Sequence, residues 1–81
     1  MIERYLAIDL GAGSGRVIIG ELEDKKLRIT PIHSFPNEMV NVLGTLHWDV
    51  LGIYRKVLEG LRICARRCTT SPVSLAVDTW G

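Results

Sequence analysis

The residues best suited to chemistry lie in the segment AIDLGAGSGRVIIG, residues 7–20. Three glycines and a serine follow a short apolar run, and Asp9 stands just before them. Glycine lets the backbone approach a ligand closely, and successive backbone N–H groups can form a concave site for phosphate oxygens. The segment therefore predicts a phosphate-binding loop with a carboxylate beside it, placed to hold Mg²⁺ through water.

Two common phosphate-binding motifs do not match the residues of this segment. The dinucleotide fingerprint GxGxxG needs a third glycine where Arg16 stands and a helix opening after the turn, and the chain has no GK pair for a P-loop. The residues after the loop, RVIIG, are β-branched and typical of a strand. We therefore predict the tip of a β-hairpin, where Ser14 adds a hydroxyl donor. A plain hairpin turn with a hydrogen-bonded aspartate is the alternative.

The elements that position this loop follow from the hydrophobic pattern. Residues 4–10, 16–22 and 27–35 predict three strands of an antiparallel meander. Pro31 cannot donate to a strand ladder, so the third strand is expected at the sheet edge. Residues 36–47 show no convincing period and are predicted to be a loop.

After Trp48 the period changes to that of an amphipathic helix, with Asp49 as its N-cap. Its apolar stripe is expected to comprise Val50, Tyr54, Val57, Leu58, Leu61, Cys64, Ala65 and Cys68. Gly60 in mid-helix costs about 1 kcal/mol relative to alanine, which a close approach to the sheet would explain. The basic residues opposite the stripe are interpreted as a solvated face.

Length and composition limit the classes of protein to which the chain could belong. With 81 residues the chain is one domain at most, and its net charge of +1 predicts neither a nucleic-acid nor a membrane-surface partner. No segment resembles a secretory signal or a membrane span, so a cytoplasmic location is expected. Cys64 and Cys68 are predicted to be reduced and buried, because a disulfide within a helix is geometrically poor.

The last element, residues 73–78, is predicted to be a strand that follows the helix and so runs parallel to an earlier one. The order β-β-β-α-β gives an α/β fold with a mixed sheet and strand order 3-2-1-4. If the last strand lies beside the first, Asp9 and Asp78 emerge at adjacent carboxyl ends, where such sheets build their sites. One sheet face lacks a covering helix, which predicts an N-terminal fragment with a tendency to self-associate.

Three segments carry a family resemblance: DLGAGSGR at 9–16, HWDVLGIYRKVLEGL at 47–61 and VDTWG at 77–81. In this order and spacing they resemble the N-terminus of the FGGY carbohydrate kinases, and among these the kinases of L-rhamnulose. The resemblance implies a ribonuclease-H-like (actin-like ATPase) half-domain, with residues 1–81 forming part of the first of two domains. It implies a cytoplasmic enzyme that uses ATP and Mg²⁺ to phosphorylate the 1-hydroxyl of L-rhamnulose or a related ketose.

The resemblance also implies roles for individual residues. Contacts to the ATP phosphates fall on Ala12, Gly13, Ser14, Gly15 and Arg16, where the family more often has serine at position 13. The sugar is contacted by Gly81 and lined by Asp78, Thr79 and Trp80. The catalytic base lies beyond residue 81, so the chain alone is expected to be inactive.

Other classes of protein remain open from the sequence. Another ketose kinase of the same family is one possibility, because most contacts that select the sugar are expected beyond residue 81. A ribonuclease-H-type nuclease could use Asp9, Glu59 and Asp78 to hold two metal ions about 4 Å apart, although it has no need for GAGSG. A non-enzymatic fragment that self-associates through its open sheet is the third possibility.

Overall fold

The structure is a computed structural model that describes residues 2–68 and 71–80 as a mixed sheet, a hairpin and a helix. The elements are β1 (Glu3–Leu10), β2 (Ser14–Glu23), β3 (Lys26–Pro36), β4 (Met39–Val42), β5 (Thr45–Trp48), α1 (Val50–Arg67) and β6 (Ser74–Thr79). The main sheet has the order β3-β2-β1-β6, with β6 parallel to β1 and the other pairs antiparallel. The predicted α/β fold with a mixed sheet is confirmed, and the predicted fourth strand is β6.

The prediction of a loop at residues 36–47 is wrong. Strands β4 and β5 pair as an antiparallel hairpin separate from the main sheet. Its two-residue turn places Leu43 and Gly44 at φ of 51° and 86°, and the Gly44 N–H donates to Asn41 Oδ1 at 2.9 Å. Two-residue hairpin turns with positive φ usually carry Asn-Gly or Asp-Gly. This turn has leucine at the first position, so the sequence lacks the usual signature of a hairpin.

Helix α1 packs across β2 and β3 and closes the core. The buried cluster comprises Leu6, Ile8, Val17, Ile19 and Cys64. A Cβ added at Gly60 would lie 2.4 Å from Val17 Cγ2. The close approach of helix to sheet that Gly60 predicted is therefore present.

The start of α1 follows the sequence prediction, whereas its apolar stripe does so only in part. Asp49 caps the helix, its carboxylate accepting from the Gly52 N–H at 3.0 Å. Val50 and Tyr54, predicted to be buried, are 67% and 62% exposed. Further along the helix, Lys56 Nζ donates to the carbonyl oxygen of Pro36, the last residue of β3, at 3.1 Å.

Both edges of the main sheet are open within the described residues. Strand β3 forms one edge, as Pro31 predicted, and its ladder with β2 has a register shift at this proline. Strand β6 forms the other edge, and all six of its residues are exposed, including Leu75 and Val77. No helix in this part of the chain is long and apolar enough to cross a membrane.

Replacing Gly60 with alanine tests the helix–sheet contact. Alanine gains about 1 kcal/mol of helix propensity, but its methyl group would overlap Val17, and overpacking a core costs about 1–3 kcal/mol. We expect a net loss of stability and a lower urea midpoint. Gly13→Ala is the matched control, because a Cβ there meets nothing within 4 Å. A Gly60→Ala chain as stable as the parent would contradict this packing.

We propose that the open β6 edge makes the chain self-associate, since exposed edge strands template further pairing. Val77→Lys should shift size-exclusion elution toward the monomer. Val42→Lys in the hairpin is the matched control, because Val42 and Val77 are 48% and 54% exposed. Elution of the parent chain as a monomer at every concentration would contradict the proposal.

Candidate functional site

Asp9 lies at the carboxyl end of the central strand, between two of the predicted site residues. It is the register partner of Arg16 on β2 and of Asp78 on β6. Its neighbour Ile8 points into the core under α1, and side chains alternate along a strand, so Asp9 and both partners lie on the opposite face of the sheet. The pairing therefore gathers three predicted functional side chains on one uncovered face.

Asp9 and Arg16 form an ion pair. Arg16 Nη2 donates to Asp9 Oδ2 at 2.8 Å, and the two side chains are about half exposed. Solvent screening limits such a pair to about 0–1 kcal/mol. The contact therefore orients both groups while leaving them available to a charged ligand.

The predicted phosphate loop is the tight connection between β1 and β2. The Gly11 N–H donates to the Ser14 carbonyl at 2.8 Å, which leaves Ala12 and Gly13 at the tip. A Cβ at Gly15 would lie 2.4 Å from the Phe35 ring, whereas a Cβ at Gly13 would meet nothing within 4 Å. Gly15 is thus required by packing, and the space beside Gly13 is open to a ligand.

Asn37 anchors this loop through two hydrogen bonds, a role that the sequence analysis did not predict. Only 5% of the residue is exposed. Its Nδ2 donates to the Gly11 carbonyl at 2.8 Å, and its backbone N–H donates to the Gly13 carbonyl at 3.0 Å. The only sequence signal is an asparagine after Pro36, within the segment predicted to be a loop.

These two hydrogen bonds determine where the loop N–H groups point. The described residues have no cis peptide bond, and in a trans peptide the carbonyl and the following N–H point in opposite directions. With the Gly11 and Gly13 carbonyls directed at Asn37, the N–H groups of Ala12 and Ser14 point away from it. Outward N–H groups of this kind can bind an anion without a helix dipole.

The residues predicted to line a sugar pocket lie at the end of β6. Asp78 and Thr79 are exposed, and the Thr79 hydroxyl donates to the Trp80 carbonyl at 3.1 Å. The Trp80 ring contacts that of Trp48, with centroids 4.5 Å apart and planes tilted by 52°. This pair, the two tryptophans of the chain, joins the β4–β5 hairpin to the end of β6. Gly81 lies outside the described residues.

The donor set limits what metal the site could take. Among residues 2–68 and 71–80 no group of three or more His, Cys, Asp or Glu side chains could hold an ion. Mg²⁺ commonly binds through one or two carboxylates, several waters and substrate phosphates. The exposed Asp9 carboxylate beside an anion-binding loop fits that mode of binding.

Exchanging Asn37 for aspartate tests its role. Aspartate cannot donate to the Gly11 carbonyl, so we expect a loss of about 1–3 kcal/mol and faster hydrogen exchange of the Gly11 amide. Asn41→Asp is the control, because Asn41 accepts a hydrogen bond from Gly44, and aspartate still accepts it. Equal effects of the two substitutions would contradict the assignment.

Comparison with known proteins places the chain in a family. No family model matches it. The chain is 40% identical over 81 residues to the rhamnulokinase of Bacteroides thetaiotaomicron, and 43% over 76 residues to that of Halalkalibacterium halodurans. These matches cover 100% and 94% of the chain but 16% of each relative, so the chain spans about one sixth of the length of these curated relatives.

Solved structures support the fold. The Aquifex aeolicus PPX-GPPA enzyme matches with a TM-score of 0.69 at 22% identity, over 98% of this chain and 27% of that one. A second Ppx/GppA structure from the same organism has a TM-score of 0.66. At this identity the likeness shows the fold alone. The sequence matches identify the family: the chain belongs with the rhamnulokinases, whose N-terminal part it matches.

Proposed function

We propose that this chain supplies the phosphate loop and part of the sugar pocket of a rhamnulokinase. The reaction is transfer of the γ-phosphate of ATP to the 1-hydroxyl of L-rhamnulose, in the cytoplasm, within a ribonuclease-H-like domain. One observation carries the proposal: Asp9 lies between Arg16 and Asp78, beside a loop whose N–H groups point outward. The rhamnulokinase relatives give the reaction class.

The nucleotide side of the site consists of Ala12, Gly13, Ser14, Gly15 and Arg16. The outward N–H groups and the Ser14 hydroxyl donate to phosphate oxygens, and the bare side of Gly13 lets those oxygens approach the backbone. The Arg16 guanidinium is half exposed and carries several donors, so it can keep Asp9 while it contacts phosphate. Asp9 would hold Mg²⁺, which supplies charge neutralisation when bound.

The sugar side consists of Asp78, Thr79, Trp80 and Gly81. The Asp78 carboxylate can accept hydrogen bonds from sugar hydroxyls, and the Trp80 ring offers an apolar surface to the sugar carbons. Because Asp78 is the register partner of Asp9, a sugar held there lies next to the phosphate loop. The two proposed ligand positions thus lie on either side of β1, the strand that carries Asp9.

Positioning is what these residues contribute to phosphoryl transfer. Such reactions depend on aligning donor and acceptor and on stabilising charge, and both sides of a cleft are needed. The described residues offer one side, and we expect the general base to lie beyond residue 81. The 81-residue chain alone should therefore bind phosphate without phosphorylating sugar.

The nuclease alternative has less support. Glu59, its third carboxylate, lies with Oε2 3.9 Å from His33 Nε2, across the helix–sheet contact. Asp9 instead pairs with Arg16 on the other face of the sheet. A kinase acting on another ketose is the remaining alternative, since it would use the same phosphate loop.

A chimera tests the function. Residues 1–81 replace the aligned segment of the Bacteroides thetaiotaomicron rhamnulokinase, and phosphorylation is assayed with MgATP and L-rhamnulose. We expect the chimera to be active. Arg16→Gln should lower its kcat/KM on the order of 10²-fold, because that substitution removes a cation from the phosphate site. Arg62→Gln on the solvent side of α1 is the control and should leave kcat/KM unchanged.

Three outcomes would count against the proposal. A folded but inactive chimera would reject the assigned function. Equal effects of Arg16→Gln and Arg62→Gln would reject the role of Arg16. Phosphorylation of L-rhamnulose by the isolated 81-residue chain would show that the base lies within it.

A further inference from the structure

The two cysteines of the chain lie together at the end of α1, away from the candidate kinase site. Cys64 Sγ and Cys68 Sγ are 3.5 Å apart. Cys64 is buried in the core, whereas Cys68 is only half buried. The prediction that both thiols are buried is therefore correct for Cys64 alone.

The backbone at Cys68 removes the usual obstacle to a disulfide within a helix. Cys68 is the C-cap residue, with φ −95° and ψ 133°, so it has left helical geometry while its N–H still bonds to the Cys64 carbonyl. Residues four apart at a helix end are separated by about 6 Å between Cα atoms, within the range that disulfides span. A side-chain movement of about 1.5 Å would bring the sulfurs to bonding distance.

A surface pocket of about 260 Å³ gives access to Cys68. Arg4, Arg28 and Arg67 line it, together with Glu21, which pairs with Arg4 at 3.1 Å. Three arginines and one glutamate make the entrance electropositive. An anionic reagent is therefore favoured over a cationic one at this thiol.

We propose that Cys64 and Cys68 form a dithiol modification site that a small anionic disulfide converts to an internal disulfide. The Cys68 thiolate attacks one sulfur of the reagent RSSR, forming a Cys68–SR mixed disulfide and releasing RS⁻. Cys64 then loses its proton and attacks Cys68 Sγ, which expels the second RS⁻. In sum two protein thiols are oxidised, one reagent disulfide is reduced, and two RSH form.

Burial separates the roles of the two thiols. Burial, followed by the Cys68 hydrogen bond and charge, raises the pKa of Cys64 to about 11, and the charge of Arg4 opposes this rise. In the reduced chain Cys64 is therefore protonated and reacts slowly with reagents in solution, and it gives up its proton only as it attacks the mixed disulfide on Cys68. Cys68, at the pocket wall, is the thiol that meets the reagent, and Cys64 resolves the mixed disulfide from 3.5 Å away.

The site lies at the opposite end of the sheet from the phosphate loop. Its pocket includes Arg4, at the start of β1, whereas Asp9 lies at the end of the same strand. No residue of the pocket belongs to the proposed kinase site. Its test is therefore independent of the proposed function.

The experiment treats the folded, reduced chain with glutathione disulfide and follows its intact mass and its migration without reductant. We expect a monomer that has lost two hydrogen atoms and retains no glutathione. The chain has only two cysteines, so an internal disulfide must join Cys64 to Cys68. Disulfide-linked dimers, a stable glutathione adduct, or no reaction while the urea-unfolded chain reacts would each overturn the proposal.

Single substitutions separate the two steps. Cys64→Ser should retain one glutathione on Cys68, and folded Cys68→Ser should retain none. The rate with glutathione disulfide should fall as salt is added, whereas the rate with the cationic disulfide cystamine should rise. Arg28→Gln should slow the glutathione reaction roughly two- to fivefold at low salt. An unchanged rate in Arg28→Gln, or equal salt slopes for the two reagents, would overturn entry through the arginine-lined pocket.

Discussion

The pairing of β1 along both of its edges is the constraint on which the rest of the structure depends. Its register places Asp9 opposite Arg16 on one side and Asp78 on the other. A slip of one residue would move Asp9 to the helix side and expose Ile8, which is 2% exposed in the core. Burial of apolar residues under α1 therefore determines the geometry of the polar face, because the alternation of side chains links the two.

The phosphate loop has to orient its N–H groups without a helix to do so. In a helix N-terminus the orientation comes from the helix itself, whereas here it comes from Asn37, which holds the Gly11 and Gly13 carbonyls. Asn37 Oδ1 is buried and has no hydrogen-bond partner among the described residues. Loss of either loop hydrogen bond would leave a further buried polar atom unpaired, at about 1–3 kcal/mol, so Asn37 holds the two carbonyls firmly.

The parts of the fold that the sequence predicted are those with local signals. Strands β1 and β2, the hairpin between them and the Asp49 cap follow from apolar runs, a glycine-rich turn and a capping residue within a few positions of each other. The contact between Asn37 and Gly11 joins residues 26 positions apart, and no local pattern indicates it. The exposure of Val50 and Tyr54 could not be predicted for a similar reason. Helical periodicity shows which residues share a face of the helix, but not which part of the sheet packs against that face.

The three glycines of the loop motif meet different physical requirements. Gly15 has no room for a side chain because the Phe35 ring fills its Cβ position, and a Cβ at Gly11 would lie 3.0 Å from the Ser14 carbonyl oxygen. None of the three has a positive φ, so backbone conformation does not demand glycine at any of them. Gly13 alone faces open space, where a serine would fit and add a hydroxyl donor. Close packing thus calls for glycine at two of the three positions, and the third glycine leaves the tip of the hairpin accessible to a phosphate group.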